Sequence, residues 1–188
     1  MDAAGTTREK IVNLGRDFVQ TVGYHAFKYQ QIAATLKIKN ASIHYYFPNK
    51  EDLGVAIIEK DEADFKDLTR RMQYNTPTEK AEAILLVYAR YLESKKNLCV
   101  IGSCSSAFLD IPERMQIAAK RYLEELSTWL TRVFADGLAS GEFRFTSKPE
   151  DLAALWMATL PGALQTAQVR GTEYFDQVCR QLRKSYRE

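Results

Sequence analysis

Apolar residues recur every three or four positions along most of this chain, and that helical period constrains its fold more than any other feature. The most regular run steps through Met115, Ala119, Tyr122, Leu126, Trp129 and Val133. Residues that favour turns are scarce, because the 188 residues include only 9 glycines and 5 prolines. A fold of many short strands needs more of them. The sequence therefore predicts an all-α protein of about nine helices.

Capping signals indicate where several helices begin and end. Thr6 and Glu9 form a capping-box pattern before the first helix, and Gly23 is a natural stop. Asn49 is placed to cap a long fourth helix. Three further elements are predicted in the middle of the chain: a helix opened by Thr78, a weaker segment from Leu98 to Leu109, and a helix over Glu113–Ala139. Ser147 and Glu150 form a second capping-box pattern, before a helix that is kinked at Pro161-Gly162. The final predicted helix bears Phe175, Val178, Cys179 and Leu182.

Composition excludes several classes of protein. Lys and Arg number 26 against 24 Asp and Glu, so any signal for nucleic acid must come from where the charges lie. The longest apolar stretch, Ala153–Leu164, is too short to span a bilayer, and the opening residues do not resemble a signal peptide. Three cysteines are too few, and an odd number, for a disulfide framework. We therefore expect a cytoplasmic protein without a membrane segment.

Patterns typical of enzymes are missing from the sequence. There is no metal-spaced histidine pair, no glycine-rich phosphate loop and no nucleophile-elbow motif. We expect a protein that is not an enzyme and that carries no metal or cofactor.

The segment from residue 18 to residue 50 contains no Asp or Glu, although it holds four lysines, four tyrosines and both histidines of the chain. Two short helices joined by a tight turn in such a segment fit a helix-turn-helix, whose second helix enters the DNA major groove. Asn40, Ser42, His44 and Tyr45 would lie on that second helix. A basic, solvated surface on a core helix pair is the alternative.

This segment resembles the DNA-binding head of the TetR family of transcriptional regulators. The resemblance covers about residues 6–58 and rests on the Arg8–Ile11 opening, the Gly23-Tyr24 turn, Ile32-Ala33, the run from Ser42 to Phe47, and Asn49-Lys50-Glu51. The remaining two thirds of the chain share only that family's layout of a helical ligand-binding and dimerisation domain.

The resemblance implies contacts with double-stranded DNA for eight residues. Lys50, at the start of the fourth helix, matches a lysine that holds a phosphate together with helix N-terminal amides. Lys39 and Asn40 fall where operator preference varies within the family. The other implied contacts are made by Lys28, Ser42, His44, Tyr45 and Tyr46.

Four positions depart from the family pattern. Phe27 and Lys28 replace the Thr or Ser that usually caps the second helix, and His44 replaces a tyrosine. Lys37 stands where the family usually has glycine, and a left-handed backbone there would cost a lysine about 1–2 kcal/mol.

The second domain offers candidates for ligand binding and dimerisation. Aromatic side chains could wall an effector pocket, although residues at this spacing also form plain cores. Two thiols could sense an electrophile there, or they could be small buried side chains. The candidate ligand-binding residues are Tyr88, Tyr91, Cys99, Cys104, Trp129 and Trp156, and the candidate dimer-interface residues are Leu155, Leu160, Gly162 and Phe175.

The sequence thus predicts a DNA-binding domain over residues 1–50 and a ligand-binding and dimerisation domain over residues 51–188. The expected function is that of a repressor that binds a palindromic operator as a homodimer and is released by a small hydrophobic or aromatic effector. A DNA-binding regulator without such an effector, controlled by a protein partner, is the alternative hypothesis.

Overall fold

The computed structural model describes residues 5–96 and 98–187, and this part of the chain folds into nine α-helices without a strand. The predicted all-α class is confirmed. The helices are α1 (Thr7–Val22), α2 (Tyr29–Leu36), α3 (Asn40–Tyr46), α4 (Lys50–Arg71), α5 (Pro77–Glu93), α6 (Val100–Ser106), α7 (Glu113–Ser140), α8 (Pro149–Arg170) and α9 (Thr172–Lys184). No helix in the described ranges is both long enough and apolar enough to cross a bilayer.

Two of the predicted helix starts are confirmed by their hydrogen bonds. Glu9 N donates to Thr6 Oγ1 over 3.2 Å while Thr6 N donates to Glu9 Oε2 over 2.7 Å, which completes the capping box of α1. Asp52 N donates to Asn49 Oδ1 over 2.9 Å at the start of α4. Each bond pairs a helix N-terminal amide that the helix itself leaves without a partner.

Two other predicted starts are wrong by one or two residues. Thr76, rather than Thr78, caps α5, and α8 begins at Pro149 after Lys148, whose side chain makes no cap hydrogen bond. Both helices have proline near their first position, where its fixed φ suits the helix. The weak segment predicted at residues 98–109 contains the shorter helix α6, and Cys99 precedes that helix.

The chain divides into two compact units, which differ from the division predicted at residue 50. The first comprises the residues up to Lys66 together with Val100–Tyr122, and the second comprises Asp67–Cys99 and the residues from Leu123 onward. Packing between α1 and α4 is one reason for the difference. A Cβ atom added to Gly15 of α1 would lie 2.9 Å from Ile57 Cδ1 of α4. The first unit therefore extends well beyond the predicted head.

The second unit has an aromatic core supplied by α7, α8 and the end of the chain. Trp156 is fully buried, its ring centroid lies 5.3 Å from that of Phe134, and its Nε1 donates to Ser185 Oγ over 3.2 Å. Arg183 of α9 makes a two-pronged ion pair with Glu82 of α5, with Nε–Oε1 and Nη2–Oε2 distances of 2.8 Å each. These contacts hold α5, α8 and α9 in one unit.

Candidate nucleic-acid interface

Helices α2 and α3 form a helix-turn-helix pair on the first unit. Ile32 and Ile43 are fully buried and Ala33 nearly so, which places the two helices in close contact through one apolar face each. Lys37 ends α2 with φ 54° and ψ 41°, so the turn uses the left-handed conformation that a lysine adopts only at some cost. Ile38 N donates to the carbonyl of Ala33 over 3.0 Å and closes the turn.

Tyr29 fixes the far end of α3, a role that the sequence did not indicate. Its hydroxyl oxygen lies 3.1 Å from the carbonyl oxygen of Phe47 and 2.6 Å from that of Asn49, and it donates its hydrogen to one of these two acceptors. Burial raises the pKa of Tyr29, so this donor keeps its proton at neutral pH. Tyr29 is one of the four tyrosines of the acid-free segment, and only the fold shows that it faces inward.

The outward face of α3 carries most of the predicted DNA contacts. Tyr45 is 80% exposed and lies edge-on to Tyr46, with ring centroids 5.0 Å apart. Lys28, Lys39 and His44 are also exposed, while Ser42 is half-buried. A groove of about 430 Å³ runs beside this face, lined by Thr7, Ile38, Ala41, Ser42, Tyr45 and Tyr46.

Asn40, by contrast, is half-buried, and its Oδ1 atom is buried without a hydrogen-bond partner. His44 lies over Tyr29 with ring centroids 5.0 Å apart, and its Nδ1 is 3.3 Å from the carbonyl oxygen of Pro48. These two side chains are therefore partly engaged with the protein rather than fully displayed to solvent.

Lys50 is directed into the first unit. Its Nζ donates to the carbonyl of Phe27 over 2.7 Å and to that of His25 over 3.3 Å, and it lies 4.7 Å from the centroid of the Tyr24 ring. Burial lowers the pKa of Lys50. This arrangement argues against the phosphate contact that the family resemblance implies, because the ammonium already has carbonyl and aromatic partners.

Further basic side chains flank the interface on α1. Arg8 and Lys10 are exposed in the first turns of that helix, and Arg8 Cζ lies 5.2 Å from the centroid of the buried Phe47 ring. Glu9 is exposed between Arg8 and Lys10, but the chain from residue 18 to residue 50 contributes lysines and no acidic residue to the surface around α3, which suits a polyanion.

Comparison with known proteins agrees with this geometry. A family model described as bacterial regulatory proteins, tetR family, matches residues 11–57. The chain is similar to the solved structure of a TetR-family transcriptional regulator from Agrobacterium tumefaciens, with a TM-score of 0.88, 26% identity and coverage of 95% of this chain and 97% of that chain. Residues 11–57 thus match the DNA-binding domain of the TetR family, and the chain has the TetR-family fold.

Two curated relatives of this TetR-family protein are regulators and not enzymes. Transcriptional regulator AcuR of Cereibacter sphaeroides is 22% identical over 172 residues, which cover 88% of this chain and 78% of AcuR. HTH-type transcriptional repressor NemR of Escherichia coli is 22% identical over 160 residues, which cover 80% of each protein. The present protein is accordingly a transcriptional regulator.

The second unit of this TetR-family regulator accounts for most of the predicted ligand-binding residues. Tyr88 and Tyr91 of α5 are partly buried, with ring centroids 5.7 Å apart, and Tyr88 Oη lies 3.3 Å from Cys99 Sγ. Trp129 is also partly buried. Trp156 belongs to the core instead, since it is fully buried and hydrogen-bonded to Ser185. Cys104 belongs to the first unit, so the second unit does not include both thiols.

The predicted dimer-interface residues of the TetR-family regulator separate into two groups. Leu155 is 51% exposed, and a Cβ atom added to Gly162 would meet nothing within 4 Å. Leu160 and Phe175 are each only 2% exposed, which assigns them to the core of the second unit. The helical period of apolar residues indicates which face of a helix is covered. It does not distinguish a face covered by the protein's own core from one covered by a partner subunit.

Proposed function

We propose that this protein is a homodimeric repressor that places α3 of each subunit in successive major grooves of a palindromic operator. The observation that carries the proposal is the exposed face of α3, where Tyr45 projects from a segment of the chain that holds Lys28 and Lys39 and no acidic residue. A single short helix reads only a few base pairs, so useful specificity requires two heads about 34–36 Å apart.

Selection from random double-stranded DNA tests this proposal. The expected product is a palindrome whose half-sites lie one helical turn apart, bound by two subunits. Binding should weaken steeply with salt, since lysine and arginine release counterions from phosphates. Recovery of no preferred sequence, with binding indistinguishable from that of unrelated DNA, contradicts the proposal.

The uncharged outer face of α8 supports the dimer. Ala154, Leu155, Ala158, Gly162 and Val169 are all exposed on this helix. Small residues at positions 154, 158 and 162 recur every four residues and allow another helix to approach closely. An exposed apolar strip of this kind is typical of an association surface.

We further propose a small hydrophobic or aromatic effector that binds against Tyr88, Tyr91 and Trp129. These side chains present flat apolar faces, and the Tyr88 hydroxyl adds one polar group beside the Cys99 thiol. A panel of aromatic compounds in a thermal-unfolding assay tests this, because a ligand that binds only the folded state raises the melting temperature. Removal of the Tyr88 ring by Tyr88→Ala should abolish the shift.

A thiol-reactive effector is the finer form of this hypothesis. N-ethylmaleimide should release operator DNA from the wild type and not from Cys99→Ser. Cys179→Ser is the matched control, because burial raises the pKa of the Cys179 thiol to about 11 and leaves it largely protonated. Normal release from Cys99→Ser, Cys104→Ser and the double variant would show that these cysteines are packing residues.

A panel without any stabilising compound, together with intact operator binding, favours the alternative of control by a protein partner. In both cases α4 is the element through which the response would reach α3. Ion pairs of Arg16 with Asp64 at 2.7 Å and of Arg114 with Asp52 at 2.6 Å join α4 to α1 and α7 within the first unit.

A further inference from the structure

The orientation of α3 singles out a residue that the sequence did not. Ile43 faces the core, and successive residues of an α-helix are turned by about 100°. Ala41 lies two positions before Ile43, and Tyr45 lies two positions after it. Each is therefore turned by about 200° around the helix axis relative to Ile43. This places both side chains about 160° from the direction of the core. Both are exposed, and they form the outermost strip of the helix that would enter the major groove.

The groove beside this strip is chemically mixed. Ala41 and Ile38 contribute methyl and aliphatic groups, whereas Ser42, Tyr45 and Thr7 contribute hydroxyls. A ligand that contacts both kinds of residue would present a small apolar group next to a hydrogen-bond acceptor or donor.

Among the edges of the four base pairs in the major groove, only thymine combines these features. Its 5-methyl group is the one apolar group displayed there, and it lies next to the O4 acceptor. Guanine, adenine and cytosine display only polar atoms at their hydrogen-bonding edges. Five of the six residues that line the groove come from the segment 18–50, which holds four lysines and no acidic residue and so favours DNA as the occupant over an uncharged apolar partner.

The immediate neighbour of Ala41 is less suited to reading bases. Asn40 is half-buried with its Oδ1 enclosed, whereas base recognition by asparagine requires a displayed amide. Ala41 can contact a base edge without rearrangement.

We infer that Ala41, with Ile38 and Tyr45 beside it, receives the 5-methyl group of one thymine in each half of the operator. This inference rests on the proposed function and names the base that the α3 strip reads. It makes Ala41 a specificity-determining residue through an apolar contact.

The test replaces each thymine of the selected operator by deoxyuridine, which lacks only the methyl group. One thymine per half-site should respond, with affinity falling about fourfold for each methyl group removed. Ala41→Gly should bind the thymine and deoxyuridine operators equally well at that position. Because the readout is a ratio of two affinities for one variant, a general decrease in the stability of Ala41→Gly cancels.

Ala34→Gly is the matched control, since Ala34 is an exposed alanine of α2 that does not line the groove. This variant should keep the fourfold discrimination. An operator that shows no sensitivity to deoxyuridine, or discrimination that persists in Ala41→Gly, overturns the inference while the proposed function stands. A protein that binds no duplex at all overturns both.

Discussion

Lys50 illustrates how a residue in a recognisable motif can serve the fold rather than the ligand. Its ammonium bridges the carbonyls of His25 and Phe27, which belong to the connection between α1 and α2. Both carbonyls lie outside helices, so Lys50 satisfies acceptors that would otherwise be paired only by solvent. We assign Lys50 as a positioning residue for the helix-turn-helix.

Lys50→Met should therefore lower the free energy of unfolding by about 1.5–3 kcal/mol, the range for hydrogen bonds to a charged group. Urea denaturation measures this change. The slope of log affinity for DNA against log salt should stay unchanged in Lys50→Met, whereas Lys39→Ala should flatten it by about one unit. A slope that flattens in Lys50→Met as well would restore the phosphate contact.

Asp61 is a buried carboxyl of the first unit, with 7% of its surface exposed. Desolvation raises its pKa to about 6, opposed by Arg16 at 3.7 Å and by a hydrogen bond from the Tyr122 hydroxyl at 3.3 Å. Asp64, which also pairs with Arg16, adds a smaller raising effect, and Lys60 a lowering one. The charged form of Asp61 is thus less favourable in the folded state than in the unfolded chain.

The sign of the pH dependence follows from this. Above pH 6 the ionised Asp61 carboxyl lowers the free energy of unfolding. This loss is recovered as the pH falls from about 6 toward 4, and for the raised pKa of Asp61 the recovery amounts to about 3 kcal/mol. Relative to Asp61→Asn, the wild type should gain stability over that interval in thermal unfolding experiments. Parallel pH profiles of the two proteins would contradict the desolvation of Asp61.

At the scale of the element, the turn between α2 and α3 contains measurable strain. Lys37 has a positive φ, and glycine adopts this conformation without steric cost. Lys37→Gly should stabilise the protein by about 1 kcal/mol, determined from the urea midpoint. Lys37→Ala removes the same charge but keeps the strain, so it should show no such gain. If both substitutions shift the urea midpoint equally, the loss of the lysine charge and not the relief of backbone strain is the cause.

The sequence predicted helices better than helix boundaries or side-chain directions. The capping boxes predicted at Thr6 and at Ser147 both have partners three residues apart, but only the one at Thr6 is confirmed, because Pro149 sets the start of α8. A proline at the first turn forces an extended conformation on the preceding residue, which makes Lys148 the cap. Local signals of this kind can be recognised from sequence when the proline rule is applied.

Directions of side chains required the tertiary structure. Lys39 and Tyr45 are exposed as predicted, but Lys50 turns inward because its partners lie 23 and 25 residues earlier in the chain. Trp156 likewise faces a core built from Phe134 and Tyr186. Apolar periodicity gives the face of a helix without indicating which distant element covers it.

At the scale of the whole molecule, association through α8 is the property on which operator recognition depends. Leu155→Arg places a charge at the proposed contact and should shift the protein toward monomers in light scattering at micromolar concentration. Operator affinity should fall together with dimerisation, because each head alone contacts only one half-site.

Leu109→Arg is the matched control, since Leu109 is 91% exposed and lies between α6 and α7. This variant should retain both dimerisation and operator affinity. A wild type that remains monomeric, both free and on DNA, would reject the α8 interface.

The first unit is built from two stretches that are separated in the chain. This arrangement has a consequence for synthesis on the ribosome. The helix-turn-helix emerges early, but its unit is complete only after the chain has been made through Tyr122. At roughly 5–20 residues per second, residues 67–122 take about 3–11 s to translate. Until α6 has been made, the carbonyl of Val19 in α1 lacks the Ser103 hydroxyl that donates to it over 3.0 Å. We therefore expect a nascent chain paused before Val100 to be more accessible to chaperones and proteases than the complete chain.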